Sequence, residues 1–253
     1  MTANWAYADV QTIGERANQE DFCRAYAQGD QLLCVLADGM GGHAAGEIAS
    51  KMVVDKFIDI ATAGSSTSWS EYFLNAIDSA NNTLSDAVRQ NPELEGMGTT
   101  LVAAEFREAE VRWLSIGDST LYLFSGGNLR RLNADHSMGA RLDTLVKSGE
   151  ITQEQANKDP SRHMLLSAIT GDQLGLMDYT PKGIHLSPGD IIVLASDGLD
   201  TLPLDDLCSR LERYRKWNPS DIARALISAV AKKGAPRQDN TTVMVVKFKP
   251  DQI

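Results

Sequence analysis

The sequence predicts an α+β fold in which antiparallel sheets pack on one another with helix pairs outside. Three observations point there. Six short segments are apolar or alternating and rich in β-branched residues: 32–37, 100–106, 111–116, 121–124, 191–195 and 241–248. Neighbouring segments are joined by tight turns, so antiparallel pairing dominates and a regular βαβ alternation is absent. Between and after them lie stretches with apolar residues three and four positions apart, the period of a helix with one buried face.

Taken in order, Leu32–Ala37 is the first strand. Gly46 to Ile60 then places Ile48, Met52, Lys56 and Ile60, with Val53 and Phe57 beside them, at spacings of three and four, a mostly apolar helical stripe. The small polar stretch from Ala63 to Ser70 reads as a loop. A second helix, from Tyr72 to Val88, follows, with Ser70 placed to cap it. The Arg107 to Glu110 connection and the Gly126-Gly127-Asn128 turn are hairpin-like. Apolar density falls between Asp135 and Tyr179, where two polar helical fragments (137–142 and 151–156) suggest a surface flap over about 135–180. A third helix is expected to start at Ser220, run through Ile222, Leu226 and Val230, and stop at Gly234.

With 253 residues and no repeat or linker, one domain over 1–253 is expected. The 24 Lys and Arg against 34 Asp and Glu leave a net charge of -10, which disfavours a nucleic-acid partner. Three cysteines without CxxC spacing, Cys23, Cys34 and Cys208, argue against a disulfide framework and a structural zinc site. No leader pattern and no long apolar run is present, so no membrane association and a cytoplasmic location are expected.

The chemistry concentrates in aspartates at strand ends among small residues: Asp38 in VLADGMGGH, Asp118 in LSIGDST, Asp197 in IVLASDGLD, and Asp239 just before a strand in RQDNTTVMVV. A single Asp-Gly pair is an ordinary turn. Four such sites converging at one sheet edge would place like charges together, a cost that a divalent cation removes. Oxygen ligands select a hard ion, Mg²⁺ or Mn²⁺. The four histidines, His43, His136, His163 and His185, show no paired spacing of the zinc-hydrolase kind. Glycine at 39 lets its carbonyl approach a metal closely. Near the N-terminus Arg16 precedes Glu20 and Asp21, and a guanidinium matches phosphate oxygens with two parallel hydrogen bonds. Metal ions with one such cation are what metal-assisted phosphoryl transfer needs. No P-loop or GxGxxG is present.

In order along the chain, RANQED (16–21), ADGMGGH (37–43), GTT (98–100), GDS (117–119), DHS (135–137), SDGL (196–199) and DNT (239–241) resemble the metal-dependent type 2C serine/threonine protein phosphatases, the PPM family, in their compact bacterial form. That resemblance implies a central β-sandwich of two antiparallel sheets flanked by helix pairs, with a binuclear Mn²⁺ or Mg²⁺ centre at one end. It implies Asp38 as the bridging ligand and Gly39 as a carbonyl ligand. Asp197 and Asp239 would bind the other ion, Glu20 and Asp21 would act directly or through water, and Asp118 would hold a third, weaker ion with Asp197. Arg16 would bind phosphate. The implied reaction is hydrolysis of phosphoserine and phosphothreonine in proteins by a metal-bridging water, opposing a Ser/Thr kinase, in a monomer.

One position departs from the family pattern. Where many members carry a leaving-group acid, this chain has Met40, which has no proton to donate. His43 is expected to pack or cap the following helix, His136 to fix a loop, and Met138, Met164 and Met177 to fill gaps. Two other classes fit less well: a non-catalytic module that binds phosphoproteins, and a hydrolase of small phosphate esters.

Overall fold

Along Leu32–Ala37 every side chain is buried, because the strand is covered on both faces and alternate residues enter different cores. The computed structural model describes residues 5–41, 45–63 and 68–248. Its elements begin with β1 (Trp5–Thr12), β2 (Asp21–Gln28), β3 (Gln31–Met40), α1 (Ala45–Ala63) and α2 (Trp69–Gln90). Then come β4 (Gly98–Thr99), β5 (Leu101–Arg107), β6 (Glu110–Ile116), β7 (Thr120–Ser125) and β8 (Asn128–Arg131). The remainder is α3 (Met138–Ser148), α4 (Gln153–Lys158), β9 (Asp178–Tyr179), β10 (Ile184–His185), β11 (Ile191–Ala195), α5 (Leu204–Tyr214), α6 (Pro219–Lys233) and β12 (Thr241–Phe248).

Two sheets form, ordered β1-β12-β11-β7-β8 and β10-β6-β5-β3-β2, with β4 added to β3 and β9 to β6. Their pairings are antiparallel. Leu32, Cys34 and Leu36 meet Leu121, Leu194 and Met244 in the core between the sheets. Leu33 and Val35 instead meet Phe57, Phe73 and Ile77 of α1 and α2. On the opposite outer face Val193 and Val245 pack under Leu211 of α5 and Leu226 of α6. The result is four layers, helices on sheet on sheet on helices, as the sequence predicts. Each large side chain removed from water, such as Phe57 or Phe73, contributes roughly 1.5–3 kcal/mol. The hairpins close as expected: Arg107 pairs with Glu110 and Ser125 with Asn128.

Two helix starts differ from expectation. Helix α2 begins at Trp69 with Ser68 at the cap position, and Ser70 lies inside its first turn. Burying the Trp69 ring against Phe73, at 4.6 Å between centroids, draws the helix back. Helix α6 is capped by Asn218, whose side chain accepts the Asp221 N–H at 2.9 Å, and not by Ser220. Pro219 explains the shift, since its fixed φ and missing N–H suit the first helical position. Gly234 ends the helix in the left-handed region, φ 60°, as expected.

Residues 137–142 and 151–156 both contribute to helices, α3 capped by Ser137 and α4 by a reciprocal Thr152–Gln155 capping box. Residues 64–67 of the expected loop, and the expected role of His43, lie outside the described residues. No helix among the described residues is long and apolar enough to cross a membrane.

Candidate metal centre

The acidic residues come together because strands of both sheets end at one edge. From the larger sheet, β3 presents Asp38 and β2 opens with Asp21 directly opposite it in the antiparallel register. From the smaller sheet, β11 runs through Ser196 into a 3₁₀ turn that begins with Asp197, and β12 is preceded by Asp239 and Asn240. The turn between β6 and β7 brings Asp118. Asp38, Asp118, Asp197 and Asp239 line one cavity of about 860 Å³, together with Arg16, Glu20 and Gly39. Asp21 stands beside it, only 3% exposed.

Glycine is required where these backbones close up. A Cβ on Gly39 would lie 2.1 Å from the Gly46 carbonyl oxygen and 2.7 Å from that of Glu20. Only a residue without a side chain lets the end of β3, the start of α1 and the Glu20 segment meet. Polar side chains then knit the edge. The Gly39 N–H donates to Glu20 O at 3.1 Å, and the Glu20 N–H donates to Asn240 Oδ1 at 2.7 Å. Asn240 Nδ2 donates to the carbonyls of Ile13 (2.8 Å) and Asn18 (3.0 Å), tying β12 to the loop that carries Arg16. Ser196 Oγ donates to Asp21 Oδ2 at 2.7 Å and accepts the Thr242 N–H at 2.9 Å. Arg16, half exposed, donates to the Asp239 carboxylate. From β8, Arg131 donates to Asp135 at 2.7 Å and to the Asp118 carbonyl at 2.8 Å.

Crowded acids in a poorly solvated corner resist ionisation. Burial, then the charges of Asp21, Asp197, Asp118 and Asp239, push the Asp38 carboxyl well above the usual range. Asp197 is pushed up to about 8 by burial and then by Asp118 and Asp239. Asp21 rises to about 6, burial outweighing the hydrogen bond from Ser196. Glu20 and Asp118 also rise, chiefly through burial, with Arg16 and Arg131 respectively opposing the shift.

Among the described residues no three His, Cys, Asp or Glu side chains stand ready-made around one point. Two observations nevertheless fit a hard cation. Asp21 Oδ1 and Asp197 Oδ1 are buried with no hydrogen-bond partner, and the converging donors are all oxygen. The three cysteines are free, and burial raises the Cys23 and Cys34 thiols far above their usual range.

Met40 lines the cavity, and His163 is the one histidine among the described residues that does so. His136 fixes a loop as expected: its Nδ1 accepts the Gly117 N–H at 3.2 Å, and burial lowers its pKa. Met164, expected to fill a gap, is 60% exposed at the cavity, whereas Met177 does pack against the α1/α2 core. Sequence reasoning missed the supporting roles of Asn240, Ser196 and Arg131. The first two stand inside motifs already singled out, but a small polar residue beside an aspartate looks like any turn.

The sequence model of the Protein phosphatase 2C family matches residues 11–238. Serine/threonine protein phosphatase PstP of Mycobacterium tuberculosis is 35% identical over 91% of this chain, which spans 42% of that protein's length. Serine/threonine phosphatase stp of Listeria welshimeri is 31% identical over 86% of this chain and 85% of its own. Among solved structures, the S. agalactiae serine/threonine phosphatase superposes with a TM-score of 0.85 at 29% identity, covering 97% of this chain and all of that one. The PstP catalytic domain in complex with two manganese ions gives 0.79 at 32% identity, over 97% and 99% of the two chains. A family match across most of the chain, joined to this shared architecture, establishes that the chain belongs to the protein phosphatase 2C family.

Proposed function

We propose that this chain is a divalent-metal-dependent phosphatase that hydrolyses phosphoserine and phosphothreonine esters in proteins, releasing the alcohol and inorganic phosphate. The observation that carries the reading is the convergence of four strand-end aspartates on one cavity with Arg16 at its wall. In this reading Asp38 and the Gly39 carbonyl would hold one ion, with Glu20 and Asp21 acting directly or through water, and Asp38, Asp197 and Asp239 would hold a second. Asp118 with Asp197 would hold a third. Mn²⁺ and Mg²⁺ both suit an all-oxygen set; family membership and the two manganese ions in the PstP structure support the choice. When bound, such ions supply a water nucleophile active near neutral pH and charge stabilisation on the phosphoryl group.

The protein's own groups do the rest. Arg16, placed at the cavity and half exposed, is free to exchange its Asp239 partner for two phosphate oxygens. Ser196 holds the Asp21 carboxylate in one orientation, and Asn240 fixes the Arg16 to Glu20 loop against β12. Met40 at the wall has no proton for the leaving alcohol, so that proton comes from elsewhere in the site. Residues 1–253 are read as one catalytic domain with a flap at 135–180, monomeric and cytoplasmic, acting on phosphorylated Ser/Thr proteins and opposing a cognate Ser/Thr kinase.

Hydrolysis of a phosphothreonine peptide, first in EDTA and then with added Mn²⁺, tests the proposal. Phosphate release that appears only with metal supports it. No turnover by folded protein with Mn²⁺ bound would replace it with a phosphoprotein-binding module.

A further inference from the structure

We propose that Thr100 is a positioning residue for the acidic site, its one hydroxyl tying Asp38 to the turn that carries Asp118. The proposal rests on the metal-centre reading above and adds a residue to it.

Thr100 lies between β4 and β5 and is 2% exposed. Its Oγ1 accepts the Asp38 N–H at 3.0 Å and lies 2.7 Å from Ser119 Oγ, so one oxygen meets both segments. Its own N–H donates to Asp38 O at 2.9 Å, where Thr99 Oγ1 also donates at 2.8 Å. The main chain of Asp38 is therefore held on its N–H side and its carbonyl side. The other half of Thr100 acts on the turn. A Cβ on Gly117 would fall 2.6 Å from Thr100 Cγ2, so the threonine methyl lies against the backbone just before Asp118 while its hydroxyl holds Ser119 just after it. Asp38 belongs to the larger sheet, and the Asp118 turn leads into β7 of the smaller one.

Two carboxylates that repel each other move apart unless their backbones are pinned. Thr100 pins both, so the acids keep their spacing before any cation arrives. Groups one step behind the ligands change metal affinity by about 10- to 100-fold when lost. Valine has threonine's shape without the hydroxyl and leaves the Asp38 N–H and Ser119 Oγ unpaired; serine keeps the hydroxyl and drops the methyl.

Calorimetric titration of the full chain with Mn²⁺, alongside thermal unfolding in EDTA, tests this. Thr100→Val is expected to bind Mn²⁺ about tenfold or more weakly, and Thr100→Ser to stay within about threefold of the parent. A valine variant that unfolds at lower temperature yet binds Mn²⁺ as the parent does would make Thr100 merely structural and overturn the proposal. Should the valine variant not fold, Ser119→Ala decides: weaker Mn²⁺ binding by folded protein supports the link, and unchanged binding overturns it. A parent protein that binds no Mn²⁺ would overturn the metal-centre reading itself, a failure visible before any variant is compared.

Discussion

Asp21 and Asp38 face each other directly across the β2–β3 pair, two carboxylates in register at the point where the strands leave the core. Like charges opposed across a ladder destabilise it. The fold carries this cost at the edge where both sheets end, and the behaviour expected of the site follows from it.

Replacing Asp38 by asparagine keeps the shape and removes one of the repelling charges. Phosphopeptide hydrolysis with Mn²⁺ is expected to be lost. In EDTA, however, the variant should melt a few degrees above the parent, at about 2–4 °C per kcal/mol for a chain of this size. Differential scanning calorimetry in EDTA reads the effect; a lower melting temperature would mean that the charge is not a burden.

The same repulsion gives metal-free stability a pH dependence of definite sign. Asp197, at about 8 in the folded chain, and Asp21, at about 6, both stand above the 3.8 of an ordinary aspartate. The folded state thus binds protons that the unfolded chain has released, so the contribution of these two groups to stability is fully present below about pH 4 and is lost as pH rises toward 8. Urea unfolding in EDTA should show a lower midpoint at pH 8 than at pH 5.5, and saturating Mn²⁺ should shrink the difference. Equal midpoints in EDTA would contradict the shifts.

Arg16→Ala should raise KM for a phosphothreonine peptide about tenfold or more while kcat falls less, the signature of a lost phosphate contact. Its ion pair with Asp239 is exposed, so unfolding free energy should change by less than about 1 kcal/mol. Steady-state kinetics with parallel denaturation separates the two effects, and an unchanged KM would remove Arg16 from phosphate binding.

Asn240 is 4% exposed and makes three bonds to the one loop between β1 and β2, at Glu20, Ile13 and Asn18. Asn240→Ala removes the acceptor of the Glu20 N–H and one donor to the Ile13 carbonyl, and should cost about 1–3 kcal/mol. Equilibrium unfolding measures it, and a change below about 0.5 kcal/mol would show that water replaces the asparagine.

Much of this was legible in the sequence. The apolar strands around Asp38 and Asp197 are buried on both faces, so they read as continuous apolar runs, and the same strands place the acids. Less visible were β1 and β2, whose exposed positions break the apolar pattern and which owe their place to ladders such as Trp5 opposite Phe248. Helix α5 hid for a similar reason, since it buries only Leu207 and Leu211. Asn240, Ser196 and Thr100 act through partners far away in the chain, as Asn240 does with Ile13, and no local spacing reports such contacts.

The central claim is that the converging aspartates form a divalent-metal centre. Equilibrium dialysis against Mn²⁺, with bound metal counted per chain for the parent and for Asp38→Asn, tests it most directly. The account predicts at least two ions on the parent and a clear loss on the variant while its circular dichroism is unchanged. Retention of no Mn²⁺ by the parent, or an equal count on both, would contradict it.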